Sequence, residues 1–378
     1  MKRRDFLTVG GKTAAAAGVA GAAAMTGPGP AKAGPAVRWR LASSYPKTLD
    51  SIHGAAERIA ARVRGATDGA FDIQVHAAGE LVPALGVFGA VSAGTVECGL
   101  TAAALAAERD PVLCFDTGIP FGLNARQHAA WMMHGGGAGL MGTVFADHGI
   151  VAFPAGNTGA QMGGWFRRAV NRPDDLRGLT MRIAGLGASV MERLGVSVRS
   201  LPGDALADAL AAGTLDAAEW SGPYDDQRLG LHRGASYYYY PGWWEGAAQA
   251  SLMVHRPLWD ALPPSYRVIL EQACAETGAW MLAKYDSLNA IALRQLVGAG
   301  VVLKPFPPAV MDAAYSAAFA LYEERAESDT RFRTIYRAWG RFREEEQMWF
   351  RVAENSFDSY LYAQPGQPFA DAAPRAAR

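Results

Sequence analysis

The chain reads as an α/β protein of two lobes joined by a hinge, with long helices near its C-terminus. Three observations carry that reading. Short strand-like runs alternate with helix-like runs from Val37 onward, which is how chains that build α/β layers are patterned. A segment occurs twice in related form, as Phe88-Gly-Ala-Val-Ser-Ala-Gly-Thr-Val-Glu-Cys-Gly and as Ala207-Asp-Ala-Leu-Ala-Ala-Gly-Thr-Leu-Asp-Ala-Ala. Each copy is a short helix ended by glycine, then an apolar residue, an acid, and small residues entering a strand. Glycine suits the left-handed C-cap, so one copy is an ordinary turn, but two copies point to two lobes of related topology. Third, a targeting segment at residues 1–33 leaves a remainder of about 345 residues, long enough for two cored domains.

The elements follow in order. Lys2-Arg3-Arg4-Asp5-Phe6-Leu7 is a twin-arginine pair, Val9 to Met25 is rich in Ala and Gly, and Ala31-Lys32-Ala33 is a small-x-small cleavage site. That order describes a Tat-type signal peptide and a periplasmic destination, although Lys2 stands where Ser or Thr is usual. The stretch is too short and too small-residue-rich to anchor a spanning helix. Val37–Ala42 alternates as a strand, Ser51–Arg64 places Ile52, Ala55, Ile59 and Val63 at helical spacing, and Phe71–Val75 is a second strand. Gly149–Phe153 and Leu179–Ile183 are further strands, and Val301–Pro305 another after a helical stretch from Pro264 to Leu296. Pro308–Ala326 and Phe332–Tyr362 read as amphipathic helices, the second with Trp339, Phe342, Met348, Trp349 and Phe357 on its apolar positions. Such a stripe packs across the lobes or forms a dimer interface.

Composition excludes several classes. Taking five basic residues and one acidic one from 36 of each leaves a net charge near −4 after residue 33, which does not suit a nucleic-acid face. Half of the residues are hydrophobic, so the chain is not disordered. Cys98, Cys114 and Cys274 are an odd count in apolar surroundings and indicate no disulfide framework. No His-Glu-x-x-His, paired Cys-x-x-Cys or Gly-x-Ser-x-Gly occurs. Gly135–Gly139 lacks the lysine and hydroxyl of a phosphate loop and reads as a connector.

Three segments remain as candidates for chemistry. Arg182 is a charge inside the apolar strand Leu179–Ile183; burying a guanidinium requires a partner, and its planar fork suits a carboxylate. A ligand and an internal salt bridge meet that requirement equally. Glu219 follows small residues at a strand end beside Trp220. A carboxylate there repels an anion unless a cation intervenes, and hard cations take oxygen ligands; a capping or salt-bridged acid is the plainer reading. Tyr237-Tyr-Tyr-Tyr-Pro-Gly-Trp243-Trp244-Glu245 adds a strand with strong β propensity and a second carboxylate among aromatics.

Asn157-Thr-Gly-Ala-Gln161-Met-Gly-Gly-Trp-Phe, Met181-Arg182-Ile-Ala-Gly-Leu-Gly, Ala218-Glu219-Trp220 and Tyr-Tyr-Tyr-Pro-Gly-Trp-Trp-Glu245 resemble the DctP-type periplasmic binding subunits of TRAP transporters. More narrowly, they are similar to the branch that binds α-keto acids or lactate with a metal ion. The resemblance spans essentially the whole chain after residue 33. It implies a non-enzymatic receptor for a small 2-oxo or 2-hydroxy monocarboxylate, docking on TRAP membrane subunits, with dimerisation through the C-terminal helix. Substrate contacts fall on Arg182, Gln161, Trp220, Tyr45, Asn157 and Trp243. Gln161, Glu219, the Trp220 carbonyl and Glu245 fall where this branch holds Na⁺ or Ca²⁺. Ala102–Glu108 lacks the aromatic residue expected there, which implies a roomier pocket. The expected division is 34–156 with 220–247 in lobe I, 157–219 with 248–331 in lobe II, and 332–378 as C-terminal helix and tail. Rival readings are a receptor for a larger organic acid without metal, and an exported lyase or hydrolase with Glu219 as base.

Overall fold

The computed structural model describes residues 35–364; the signal segment lies outside the described residues. Among these, no helix is long and apolar enough to cross a membrane. The strands in chain order are β1 (Val37–Ser43), β2 (Phe71–His76), β3 (Cys98–Thr101), β4 (Ile150–Asn157), β5 (Trp165–Phe166), β6 (Thr180–Arg182), β7 (Ser197–Arg199), β8 (Ala217–Ala218), β9 (Tyr237–Tyr240), β10 (Gln249–His255) and β11 (Val302–Pro305). They form two sheets, ordered β2-β1-β3-β10-β4 and β7-β6-β8-β5-β9-β11.

The two sheets repeat one plan. β2, β1 and β3 run parallel, and β10 pairs antiparallel with β3 on one side and β4 on the other. Likewise β7, β6 and β8 run parallel, and β5 pairs antiparallel with β8 on one side and β9 on the other. The sequence echo occupies the same place in each. Helix Val87–Ser92 leads to β3 in the first sheet, and helix Leu206–Ala212 leads to β8 in the second. The glycines between them, Gly94 and Gly213, both adopt positive φ, 69° and 73°, a conformation costly to side chains with a Cβ.

Each lobe borrows its antiparallel neighbour from a distant part of the chain. β4 ends in the first sheet and residues 158–164 carry the chain into the second; β9 ends in the second and residues 241–248 carry it back to β10 in the first. Sheet pairing therefore differs from the expected lobe bounds. Segment 220–247 holds β9 of the second sheet, and segment 248–331 opens with β10 of the first. Hydrogen bonding between Ser251–Val254 and Cys98–Thr101, and between Tyr237–Tyr238 and Trp165–Phe166, decides the matter. A third crossing is the helix Pro264–Gly298. It buries Leu270, Cys274, Met281 and Tyr285 in the core of the first sheet and reaches Leu296 in the core of the second.

Helix Ile52–Ala66 forms as its spacing requires, with Ile52, Ala55, Ile59 and Val63 all turned into that first core. The glycine run is not a connector throughout: Gly137 begins a helix that extends to Asp147, where a Cβ on Gly137 would meet the Trp131 ring at 2.7 Å. All three cysteines are buried and unpaired. The C-terminal aromatic stripe divides. Phe332, Tyr336 and Trp339 of helix Thr330–Phe350 are buried, whereas Met348, Trp349, Val352, Phe357 and Tyr360 are more than half exposed. A wide turn at Arg351–Asn355 leads into a last helix, Ser356–Ala363.

Phe332 anchors the C-terminal helix by an edge-on contact with Phe115, centroids 5.2 Å apart, and is fully buried. Phe332→Ala should cost about 3–5 kcal/mol, seen as a lower denaturation midpoint in urea with the far-ultraviolet dichroism of the native state retained.

Candidate ligand and cation site

The C-terminal ends of the parallel strands from both sheets converge on one buried cavity of about 70 Å³, room for about half a dozen water-sized groups. Open α/β sheets present ligands at this edge. The first sheet supplies a mostly apolar wall: Tyr45 after β1, and Ala102, Ala104 and Leu105 after β3, with Ile52 and Thr117 beside them. The second supplies Arg182 and Ala184 after β6, and Glu219, Trp220 and Ser221 after β8. The two crossing segments complete it with Thr158 and Gln161 on one, Glu245 and Ala248 on the other.

Arg182 is buried and organises the second wall. Its Nη1 donates to the Glu219 carbonyl at 2.8 Å and to Glu219 Oε2 at 2.9 Å, and its Nε to the Leu201 carbonyl at 3.2 Å. The guanidinium lies 5.0 Å from the centroid of the Trp220 ring, a cation–π distance. Nη2 forms no hydrogen bond among the described residues and remains available to a ligand carboxylate.

The acids beside it are under strain. Burial pushes the Glu219 carboxyl up to about 7, with Arg182 opposing the rise and Asp226 adding to it. Glu245 is pushed well above the usual carboxylate range, first by burial and then by the charge of Glu219. Gln161 donates from Nε2 to Thr158 Oγ1 at 3.1 Å, while its Oε1 is buried with no partner. The Trp220 carbonyl likewise accepts no hydrogen bond among the described residues. Two carboxylates, an amide oxygen and a peptide oxygen form an oxygen-only set, which suits a hard cation such as Na⁺ or Ca²⁺. Among the described residues no group of three His, Cys, Asp or Glu side chains could hold a metal ion.

Six of the expected site residues meet here: Tyr45, Gln161, Arg182, Glu219, Trp220 and Glu245. Two do not. Asn157 turns its Oδ1 to the Gly159 N–H at 2.8 Å and closes a local turn. Trp243 stacks on Phe121 with centroids 5.3 Å apart, outside the cavity. Sequence reasoning missed Thr158, Thr117 and Ser221 as lining residues. Thr158 sits three positions before Gln161 inside the quoted motif, so its place was available to be read. Ala102, Ala104 and Leu105 line the cavity where the resemblance leads one to expect an aromatic residue.

A two-lobed α/β fold with a charge-lined cavity between the lobes has the form of a solute-binding protein. The model of the family described as bacterial extracellular solute-binding protein, family 7, known as DctP, matches residues 42–329, and the chain belongs to that family. It is similar to a monocarboxylate 2-oxoacid-binding periplasmic protein of Nostoc sp., with 44% identity over 361 residues covering 95% of this chain and 99% of the relative. Among solved structures it is similar to a TRAP transporter solute-binding protein from Bordetella bronchiseptica (46% identity, TM-score 0.86, covering 87% and 98% of the two chains). That protein was seen as a mixed-occupancy dimer with copurified calcium and picolinate in one site. A TRAP periplasmic solute-binding protein from Pseudoalteromonas atlantica with bound sodium and pyruvate matches at 34% identity and TM-score 0.83, covering 87% and 100%. One from Colwellia psychrerythraea with calcium and pyruvate matches at 31% and 0.83, covering 86% and 99%.

The raised carboxyls set a pH dependence with a definite sign. The unfolded chain holds Glu219 near its ordinary 4.5 and the folded, cation-free protein holds it near 7. Between those values the folded state binds more protons, so stability falls as pH rises through the window. Thermal melts of cation-free protein should therefore drop from pH 5 to pH 7. Glu219→Gln should lessen that drop, the raised Asp225, Asp226 and Glu245 keeping the rest, while weakening cation binding at pH 7.

Proposed function

We propose that this chain is the periplasmic receptor of a TRAP transporter and captures a small 2-oxo or 2-hydroxy monocarboxylate together with a bridging Na⁺ or Ca²⁺. The observation that carries the reading is the buried, unpartnered Gln161 Oε1 set beside Glu219 and Glu245, in a cavity that also holds the Arg182 guanidinium. Acids facing an anion pocket make sense only with a cation between them. The sodium-, calcium-, pyruvate- and picolinate-bearing relatives support the same chemistry.

In this reading Gln161, Glu219, Glu245 and the Trp220 carbonyl hold the cation. The cation supplies the positive charge that lets two carboxylates sit against an anionic substrate. Arg182 grips the substrate carboxylate through its free Nη2, kept in place by the Leu201 and Glu219 carbonyls and by Trp220 beneath it. Its five donors stay charged at any working pH. Tyr45, Ile52, Ala102, Ala104 and Leu105 exclude water from the other side, which strengthens each charged contact. The small cavity favours a short acid over a larger one.

The lobes close about the crossings at 158–164 and 241–248, and the closed form docks on the membrane subunits. A Tat-type signal exports the chain. The exposed face formed by Met348, Trp349, Val352, Phe357 and Tyr360 is the surface for a homodimer, an apolar patch of the kind that marks a partner site; the dimer seen for the Bordetella relative supports it.

Two experiments test the reading. Residues 34–378, screened by thermal shift against small carboxylates, should be stabilised by pyruvate- or lactate-like acids only when Na⁺ or Ca²⁺ is present. Ligand at about a hundred times its Kd should add about 2.7 kcal/mol. A response to aromatic or sugar acids after chelation would discard the substrate class and keep the receptor. Arg182→Ala should lower affinity by about 3 kcal/mol, or over a hundredfold in Kd; calorimetry with unchanged affinity would remove Arg182 from the substrate contacts.

A further inference from the structure

Behind the cavity lies a buried acid that the functional reading leaves unused. Asp226, on helix Pro223–Leu229, is 1% exposed. Its Oδ2 accepts from Trp165 Nε1 at 2.9 Å and from the Tyr238 hydroxyl at 2.7 Å; its Oδ1 accepts from the Ser221 N–H at 3.3 Å. Trp165 and Tyr238 lie on paired strands β5 and β9, with rings stacked 4.0 Å apart. Ser221 directly follows Glu219 and Trp220, and its carbonyl accepts from the N–H of Met162, the neighbour of Gln161. One carboxylate therefore ties the rigid second sheet to the backbone that carries three of the four oxygen donors.

We propose that Asp226 is a positioning residue for the cation site, fixing the Glu219–Ser221 segment in its binding geometry before any cation arrives. The proposal rests on the cation reading above. Chemistry explains why the group is an acid. It faces donors on both oxygens, two on one side and one on the other, and only a carboxylate accepts on both. An amide that kept Trp165 and Tyr238 on its oxygen would turn its NH₂ toward the Ser221 N–H, donor against donor. Asp226→Asn thus removes the tie to the Ser221 N–H while sparing the anchor to the sheet; the Glu219 backbone keeps its bonds to Arg182. The adjacent Asp225 accepts from the Tyr285 hydroxyl on the long helix, 2.6 Å from its Oδ2.

Calcium chloride is titrated calorimetrically into substrate-free protein, wild type and variants alike. Asp226→Asn should bind Ca²⁺ about 10–100-fold more weakly, the loss seen when groups behind metal ligands are changed. Tyr238→Phe, which removes one of the two bonds on Oδ2 and leaves the Ser221 bond, should stay within about threefold of wild type. An Asp226→Asn protein that binds Ca²⁺ like wild type overturns the proposal, and so does an equal loss in Tyr238→Phe, which would mark a general packing role. Amide exchange of the cation-free wild type gives a readout that needs no variant. The Ser221 N–H should be protected already, and fast exchange that ends only on adding Ca²⁺ overturns the proposal. Wild-type protein that binds no cation would sink the cation reading itself, whereas wild-type binding with an unaffected Asp226→Asn sinks only this inference.

Discussion

The placement of a single guanidinium among several buried acids governs the rest of the structure. Arg182 can offset the charge of Glu219, yet Glu245, Asp225 and Asp226 stand within the same buried region, and each is held above its ordinary carboxyl range. A core with that excess of negative groups stays favourable only when protons or a cation make up the difference. Everything around the cavity serves that requirement: strand ends deliver the acids, Tyr285, Tyr238 and Trp165 donate to those set further back, and a hydrophobic wall denies water to the rest. The site is a charge deficit enclosed by a fold.

Much of this was legible in the sequence because it is local. Alternation and helical spacing place most of the strands and helices they name to within a few residues, and the Ala-Gly-Thr echo points to a duplicated plan whose two copies fall on equivalent strands. Arg182 stood out as a charge in an apolar strand, and Glu219 as an acid at a strand end, so each was noticeable on chemistry alone. Their partnership is visible only in the family resemblance or in the fold, since parallel pairing of Met181–Arg182 with Ala217–Ala218 is what sets them side by side.

Sheet membership departs from the expected lobe bounds for the same reason in reverse. Which sheet takes β9 and which takes β10 is decided by hydrogen bonds to segments roughly 70 to 150 residues away, and nothing in either strand's own sequence records that choice. Asn157 belongs to the right motif, but its short side chain satisfies its own turn first, a habit of asparagine that competes with ligand contacts. Trp243 is an aromatic in the right neighbourhood whose ring finds Phe121 instead. Asp225 and Asp226 drew no attention because an acid in the first turn of a helix is ordinary; only depth distinguishes these two.

The unequal endowment of the two walls has a kinetic meaning. Lobe II and the crossing strands hold every formally charged group of the cavity, while lobe I brings the Tyr45 and Thr117 hydroxyls and hydrocarbon. An open molecule thus already displays its full electrostatic invitation on one side. Arrival of a cation would be steered by that half, whose acids outnumber its one guanidinium, and the second half would act afterwards as a lid whose fit decides how long the guest remains. Discrimination between acids of equal charge then belongs to dissociation, written in Ile52, Ala102, Ala104 and Leu105, the residues least noticeable in the primary structure.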